Sequence, residues 1–192
     1  MPILGILASQ ISGHLALPSS YESIATQTVG SGGTASVTFS SIPTTYTHLQ
    51  IRGIVRSTAS GNSGLIFAKF NGDTGSNYTF HMLQANGSTI SGEGYGTSVI
   101  NGASVSVSPA GLSPSSVLGG FVFDILDYQN TNKYTTTRSL SGWDGNGATE
   151  QALRYSSGLW TNTSAITSID ISVRGGSNLA QYSSFALYGI KG

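Results

Sequence analysis

The chain has 192 residues, enough for one large domain with an adequate core and tight for two. Only 8% of residues are charged, and the eight basic side chains equal the eight acidic ones and form no run, which excludes a nucleic acid as principal ligand because counterion release needs clustered positive charge. With no cysteine there is no disulfide, thiolate metal site or thiol nucleophile.

Apolar content is ordinary, so Gly, Ser, Thr and Asn fill the places that ions usually take on a globular surface. A surface wetted by hydroxyls and amides is commoner in proteins assembled into something larger.

Residues 1–17 are the most apolar end of the chain. A secretory signal would carry positive residues ahead of its apolar stretch, and none precedes Ile3. Ser9, Gln10, Ser12 and His14 interrupt the stretch too early for a membrane span, so no membrane insertion is expected. Two readings stand: a terminal strand tucked under the domain, or an arm that docks on a neighbouring subunit through Ile3, Leu4, Ile6, Leu7 and Ile11. Pro18-Ser19-Ser20 marks the break, which divides the chain into an arm at residues 1–20 and a body at residues 21–192.

In the body, residues 23–29 read as a polar strand, and the turn Gly30-Ser31-Gly32-Gly33 returns the chain along residues 35–39, a hairpin signal. Residues 45–56 are the clearest strand. Leu49, Ile51 and Val55 alternate with His48, Gln50, Arg52 and Arg56, which sets a dry face against a wet one. Residues 65–70 have apolar side chains on both faces, and the turn cluster at residues 71–77 leads to a strand at residues 78–83. Residues 86–116 read as a glycine- and serine-rich excursion, a long exposed loop or short edge hairpin.

The run at residues 117–128 is the strongest apolar stretch of the body and suits a strand covered on both faces. Asn130-Thr131-Asn132 turns the chain into residues 133–141, where Tyr134, Thr136, Arg138 and Leu140 share a face. Further strands follow at residues 150–156 and 159–160, 166–174 and 185–190. No segment holds helical spacing with caps. About ten short strands separated by polar turns predict an all-β antiparallel β-sandwich, jelly-roll-like, with an extended N-terminal arm.

Chemistry is sparse. The signatures of acyl transfer, phosphate cradling and zinc proteolysis are absent, so no catalytic residue, cofactor or enzyme activity is expected. His48 and His81 would form a metal site only if their strands brought them together; a strand histidine without metal is the plainer reading. Asp124 and Asp127 are a close pair of carboxylates suited to capping a turn rather than to glycoside hydrolysis. The Asx-rich turns at residues 71–77 and 144–146 have a calcium-loop composition without its bidentate glutamate, since Tyr155 holds that place; no metal is assigned, and the turn at residues 71–77 stays open. Trp143 and Trp160 are candidate glycan contacts, with Tyr128, Tyr134 and Tyr155 as further aromatic faces; core edges are the plainer reading. The sequons at Asn77, Asn86 and Asn162 need no glycan in a chain of this composition.

Several blocks carry a resemblance over nearly the whole chain. They are Met-Pro-Ile-Leu-Gly-Ile-Leu-Ala-Ser-Gln-Ile-Ser-Gly from Met1, Ile-Pro-Thr-Thr-Tyr-Thr-His-Leu-Gln-Ile-Arg-Gly from Ile42, Phe-Asn-Gly-Asp-Thr-Gly-Ser-Asn-Tyr from Phe70, Asp-Ile-Leu-Asp-Tyr-Gln-Asn-Thr-Asn-Lys from Asp124, and the ending Phe-Ala-Leu-Tyr-Gly-Ile-Lys-Gly from Phe185. Together they resemble small virion structural proteins of tailed bacteriophages. The resemblance implies a non-enzymatic structural role on the virion after assembly in the host cytoplasm, as a tail-fibre or adsorption appendage or as a capsid decoration protein. It implies other virion proteins as partners and, by analogy, a homotrimer. A host-surface glycan is the partner under the alternative reading of a glycan-binding module.

Overall fold

A computed structural model of the protein describes residues 19–96, 102–145 and 151–192. These residues form twelve strands and no helix: β1 (Tyr21–Thr28), β2 (Ser36–Phe39), β3 (His48–Val55), β4 (Ser63–Phe70), β5 (Tyr78–Ala85), β6 (Ile90–Tyr95), β7 (Ala103–Pro109), β8 (Gly119–Leu126), β9 (Thr135–Trp143), β10 (Ala152–Trp160), β11 (Ile169–Val173) and β12 (Ser184–Ile190). Eight of them form a wide sheet in the order β1-β12-β3-β8-β9-β10-β5-β6, and the other four form a narrow sheet in the order β2-β11-β4-β7. Every pairing is antiparallel. The expected all-β antiparallel sandwich is present, with twelve strands among the described residues where the spacing suggested about ten, divided eight against four.

Alternation explains the core. β3 sends Leu49, Ile51 and Val55 inward, β8 sends Phe121, Phe123 and Ile125, and β12 sends Phe185 and Leu187. Ile66, Ala68 and Phe70 of β4 and Ile169 and Ile171 of β11 meet them from the narrow sheet, all fully buried. Burial of a Leu, Ile or Phe side chain stabilises by about 1.5–3 kcal/mol, so these strands carry the sandwich. At one end Trp160, Phe70 and Tyr78 form an aromatic cluster, with ring centroids 5.4 Å apart for Phe70 and Trp160 and 6.4 Å for Tyr78 and Trp160.

Several expectations change in the folded chain. Residues 23–39 do not form a hairpin: β1 pairs with β12 in the wide sheet and β2 with β11 in the narrow one. The glycine turn instead carries the chain between sheets, held where Thr34 and Leu179 exchange backbone hydrogen bonds of 3.0 and 2.8 Å. The excursion at residues 86–116 splits in two. β6 is an exposed edge strand paired with β5, whereas β7 is buried along its whole length as the edge of the narrow sheet. Its Ser-Val alternation reads as loop because serine is polar, yet both of its faces are covered.

Residues 152–160 run as one strand, without the break expected between residues 156 and 159. Arg56, assigned to the wet face of β3, is buried, because the strand ends at Val55 and the chain turns it beneath residues 110–117. β8 is covered on one face only: Val122, Asp124 and Leu126 are half-buried and Gly120 is exposed. The arm residues Ile3, Leu4, Ile6, Leu7 and Ile11 lie outside the described residues.

Candidate functional site

The most unusual surface among the described residues is the outer face of the wide sheet. A sheet with one solvated face puts apolar side chains inside and polar ones outside. β9 and β10 reverse the rule. Apart from Trp143 and Trp160 at their ends, their inward side chains are Thr135, Thr137, Ser139, Ser141, Arg154 and Ser156, none of these six more than 6% exposed, while Leu140 (51%), Leu153 (57%) and Tyr155 (50%) stand outward.

The cause lies beneath them. β7 packs against this part of the sheet with Ser104, Ser106 and Ser108 buried, and the Val107 backbone N–H donates to the Ser141 hydroxyl at 3.2 Å. A narrow-sheet edge strand thus has one backbone donor satisfied from the opposite sheet, which accounts for a short polar side chain at Ser141. The pleat, with the polar set inward, sends Leu140 and Leu153 out.

The register gathers the outward apolar side chains. In one row Val122 lies opposite Leu140, Leu140 opposite Tyr155 and Tyr155 opposite Leu83. In the next, Ile54 lies opposite Gly120, Gly120 opposite Gly142 and Gly142 opposite Leu153. The second row has large side chains only at Ile54 and Leu153, so the glycines floor a shallow trough of about 650 Å³ that extends over β12 to Ser184, Ala186 and Tyr188. A Cβ at Gly120 would meet nothing within 4 Å, whereas one at Gly53 would strike the Ser184 carbonyl at 2.3 Å.

Polar groups border this trough on the side towards Gln50 and satisfy one another. The Tyr21 hydroxyl and Arg52 Nε donate to Gln50 Oε1 at 2.5 and 2.6 Å, Gln50 Nε2 donates to Asp124 Oδ1 at 2.6 Å, and Arg138 Nε donates to Asp124 Oδ2 at 2.7 Å. The hydrogen bond to Asp124 holds the Arg138 guanidinium above its ordinary range. The Arg52 guanidinium lies 5.2 Å over the Tyr21 ring. The ionisable groups here are tied to partners and do not converge on an empty point.

The residues singled out from sequence are dispersed. Trp160 is 1% exposed and donates from Nε1 to Asp73 Oδ2 at 2.8 Å, and Trp143 is 8% exposed, so neither offers a ring face to a sugar. Tyr128 is buried with its hydroxyl on the Pro43 carbonyl; Tyr134 and Tyr155 are half-exposed at different positions across the sheet. His48 on β3 and His81 on β5 are separated by β8, β9 and β10 and cannot share a metal. The Asp127 N–H donates to His48 Nδ1 at 2.9 Å, and the Asp127 carboxylate lies 3.2 Å from the same nitrogen, so this histidine is engaged by Asp127 alone.

Asp124 and Asp127 serve separate partners, Arg138 and Lys133. The Lys133 hydrogen bond holds the Asp127 carboxyl below its ordinary range. In the turn at residues 71–77, Asp73 accepts from the Gly75 N–H at 2.8 Å, from Asn77 Nδ2 at 2.9 Å and from Trp160, so its oxygens point at donors and not at a cation. Among the described residues no three His, Cys, Asp or Glu side chains gather as a metal site would require.

Fold and surface together define a β-sandwich that shields one face of its wide sheet and leaves an apolar trough on the other. No protein family, curated protein or solved structure matches the chain.

Sequence reasoning missed two features. The trough had a signal, since Leu140, Leu153 and Tyr155 alternate with Ser, Thr and Arg, but alternation alone does not say which set is inside. Arg56 had none: its four carbonyl partners lie on a segment that looks like loop.

Proposed function

We propose that this chain is a non-enzymatic structural protein of a bacteriophage virion, exposed on the particle as a tail-fibre or adsorption appendage and held by its arm, residues 1–17. The observation that carries this reading is the open apolar face around Leu140 and Leu153 in a chain with only 8% charged residues. Catalytic surfaces gather ionisable groups with unsatisfied chemistry in a cleft. Here the charged side chains bordering the trough are spent on one another and its centre is aliphatic, which suits contact between proteins. The resemblance of the sequence blocks supplies the setting, and closed symmetry makes a trimer the expected state.

Sedimentation of the full chain and of a variant lacking residues 1–17 tests the assembly. The full chain is expected to form a closed oligomer of three copies, and the truncated chain to sediment as a monomer at micromolar concentration. Truncated chains that still assemble and attach to particles overturn the arm-anchored reading. An antibody against the exposed β6 edge, imaged on intact particles, locates the protein. Label on the tail supports the appendage; label on the head lattice makes it a capsid decoration protein, and unlabelled particles that contain no such chain overturn the virion assignment.

A further inference from the structure

Among the described residues nothing covers the apolar trough, and the chain carries an apolar segment ahead of the body. We infer that the trough around Gly120 on the wide sheet receives residues 1–17 of a second copy of this chain. This rests on the arm-anchored reading above and adds the place where the arm binds.

Composition matches the two surfaces. Residues 1–17 contain no Asp, Glu, Lys or Arg, and the trough is walled by Ile54, Val122, Leu140 and Leu153 with its charge confined to the rim at Arg52. β8 makes the same point. Its run is apolar on both faces, the pattern of a doubly covered strand, yet the described residues cover only one.

Reach and direction favour a neighbour's arm. The chain enters the body at the edge of the same sheet, where Tyr21 pairs with Ile190 and the Ser20 carbonyl accepts from the Lys191 N–H at 2.9 Å. β1 then runs towards Thr28, which lies opposite Ser184 at the level of the trough. On β12 the trough ends at Tyr188, opposite Ser23, so Ser20 stands just beyond it with β1 running back alongside; an arm bound in its own trough would have to reverse direction there, whereas a neighbour's trough asks for no reversal. At about 3.3 Å per residue an extended segment of this length reaches roughly 55 Å, enough to cross to an adjacent subunit and lie over several of its strands.

Gly120→Lys tests the site, because the position is exposed and a side chain there has open space, so the body keeps its fold. Placing an ammonium in the trough is expected to raise the concentration for half-assembly at least about tenfold while the far-ultraviolet circular dichroism of the β body stays unchanged. The absence of cysteine allows a second readout. Leu140→Cys carrying a benzophenone is expected, on illumination of isotopically mixed chains, to form adducts with residues 1–17 of the other chain.

Four outcomes decide. Lost assembly in Gly120→Lys with inter-chain adducts in residues 1–17 supports the proposal. Adducts in residues 1–17 of the same chain overturn the neighbour's part. Assembly that needs the arm, but survives Gly120→Lys with adducts elsewhere, overturns the site and leaves the arm-anchored reading standing. Assembly indifferent to deletion of residues 1–17 overturns both.

Discussion

Replacing Trp160 with alanine is expected to lower the free energy of unfolding by about 3–5 kcal/mol, the range for removing a fully buried large aromatic side chain. Trp160 closes the end of the sandwich where Phe70 and Tyr78 pack on its ring, and it is 1% exposed. The loss has a second part, since Asp73 forfeits the indole N–H that holds its carboxylate. Trp160→Phe separates the two: the ring contacts persist in part, the hydrogen bond goes, and the cost is expected to fall to about 1–3 kcal/mol.

Acid titration isolates the hydrogen bond. Burial pushes the Asp73 carboxyl up, but hydrogen bonds from Trp160, Asn77 and the Gly75 amide outweigh it and hold the group below its ordinary value of 3.8. A carboxyl lowered in the folded state contributes stability above its unfolded pKa and loses it as pH falls through the folded one. The parent chain is therefore expected to lose stability as pH drops from about 4 downwards, and Trp160→Phe to lose less over that window. Denaturant melts at successive pH values measure the difference, and equal slopes would remove Asp73 from the explanation.

The second large effect is at Arg56. Its guanidinium donates from Nη1 to the carbonyls of Pro114 at 2.7 Å and Val117 at 3.3 Å, and from Nη2 to those of Ala110 at 2.6 Å and Ser113 at 2.7 Å. One planar fork thus ties down the whole connection from β7 to β8. Arg56→Ala leaves the buried Ser113 carbonyl without a donor, at about 1–3 kcal/mol, and takes from the Ala110 carbonyl the charged one of its two donors, at about 1–2 kcal/mol more, for a total near 2–5 kcal/mol. Lysine presents one ammonium where the site is built for a fork, so Arg56→Lys is expected to recover less than half of the loss. Hydrogen exchange should localise the damage: the amides of Gly111, Leu112 and Ser113, which now donate to Ala59, Gly61 and Ala110, lose protection while those of β3 keep theirs. Uniform loss across the sandwich would show that Arg56 acts only through global stability.

The strand content and the inward face of β3 were legible in the sequence, because a period of two with aliphatic residues on one side has only one reading when the other side carries His, Gln and Arg. The same local logic says nothing about partners. The turn at residues 30–33 looks like a hairpin in isolation, yet it joins strands of different sheets, since pairing is decided by β11 and β12, far along the chain. β7 looks like loop because serine is polar in isolation, and only the approach of β9 makes a serine strand a buried one.

By itself the sequence determined a β-rich body, an uncharged character and an apolar first segment, because composition and periodicity are properties of neighbours in the chain. Only the tertiary structure decided that β9 and β10 turn their hydroxyls inward and their leucines out, that Trp160 is a core residue, and that Arg56 holds a loop. Those outcomes depend on which strand lies above which, and thus on contacts between residues from 44 to more than 80 positions apart, such as Gly64 with Ser108 and Asp73 with Trp160.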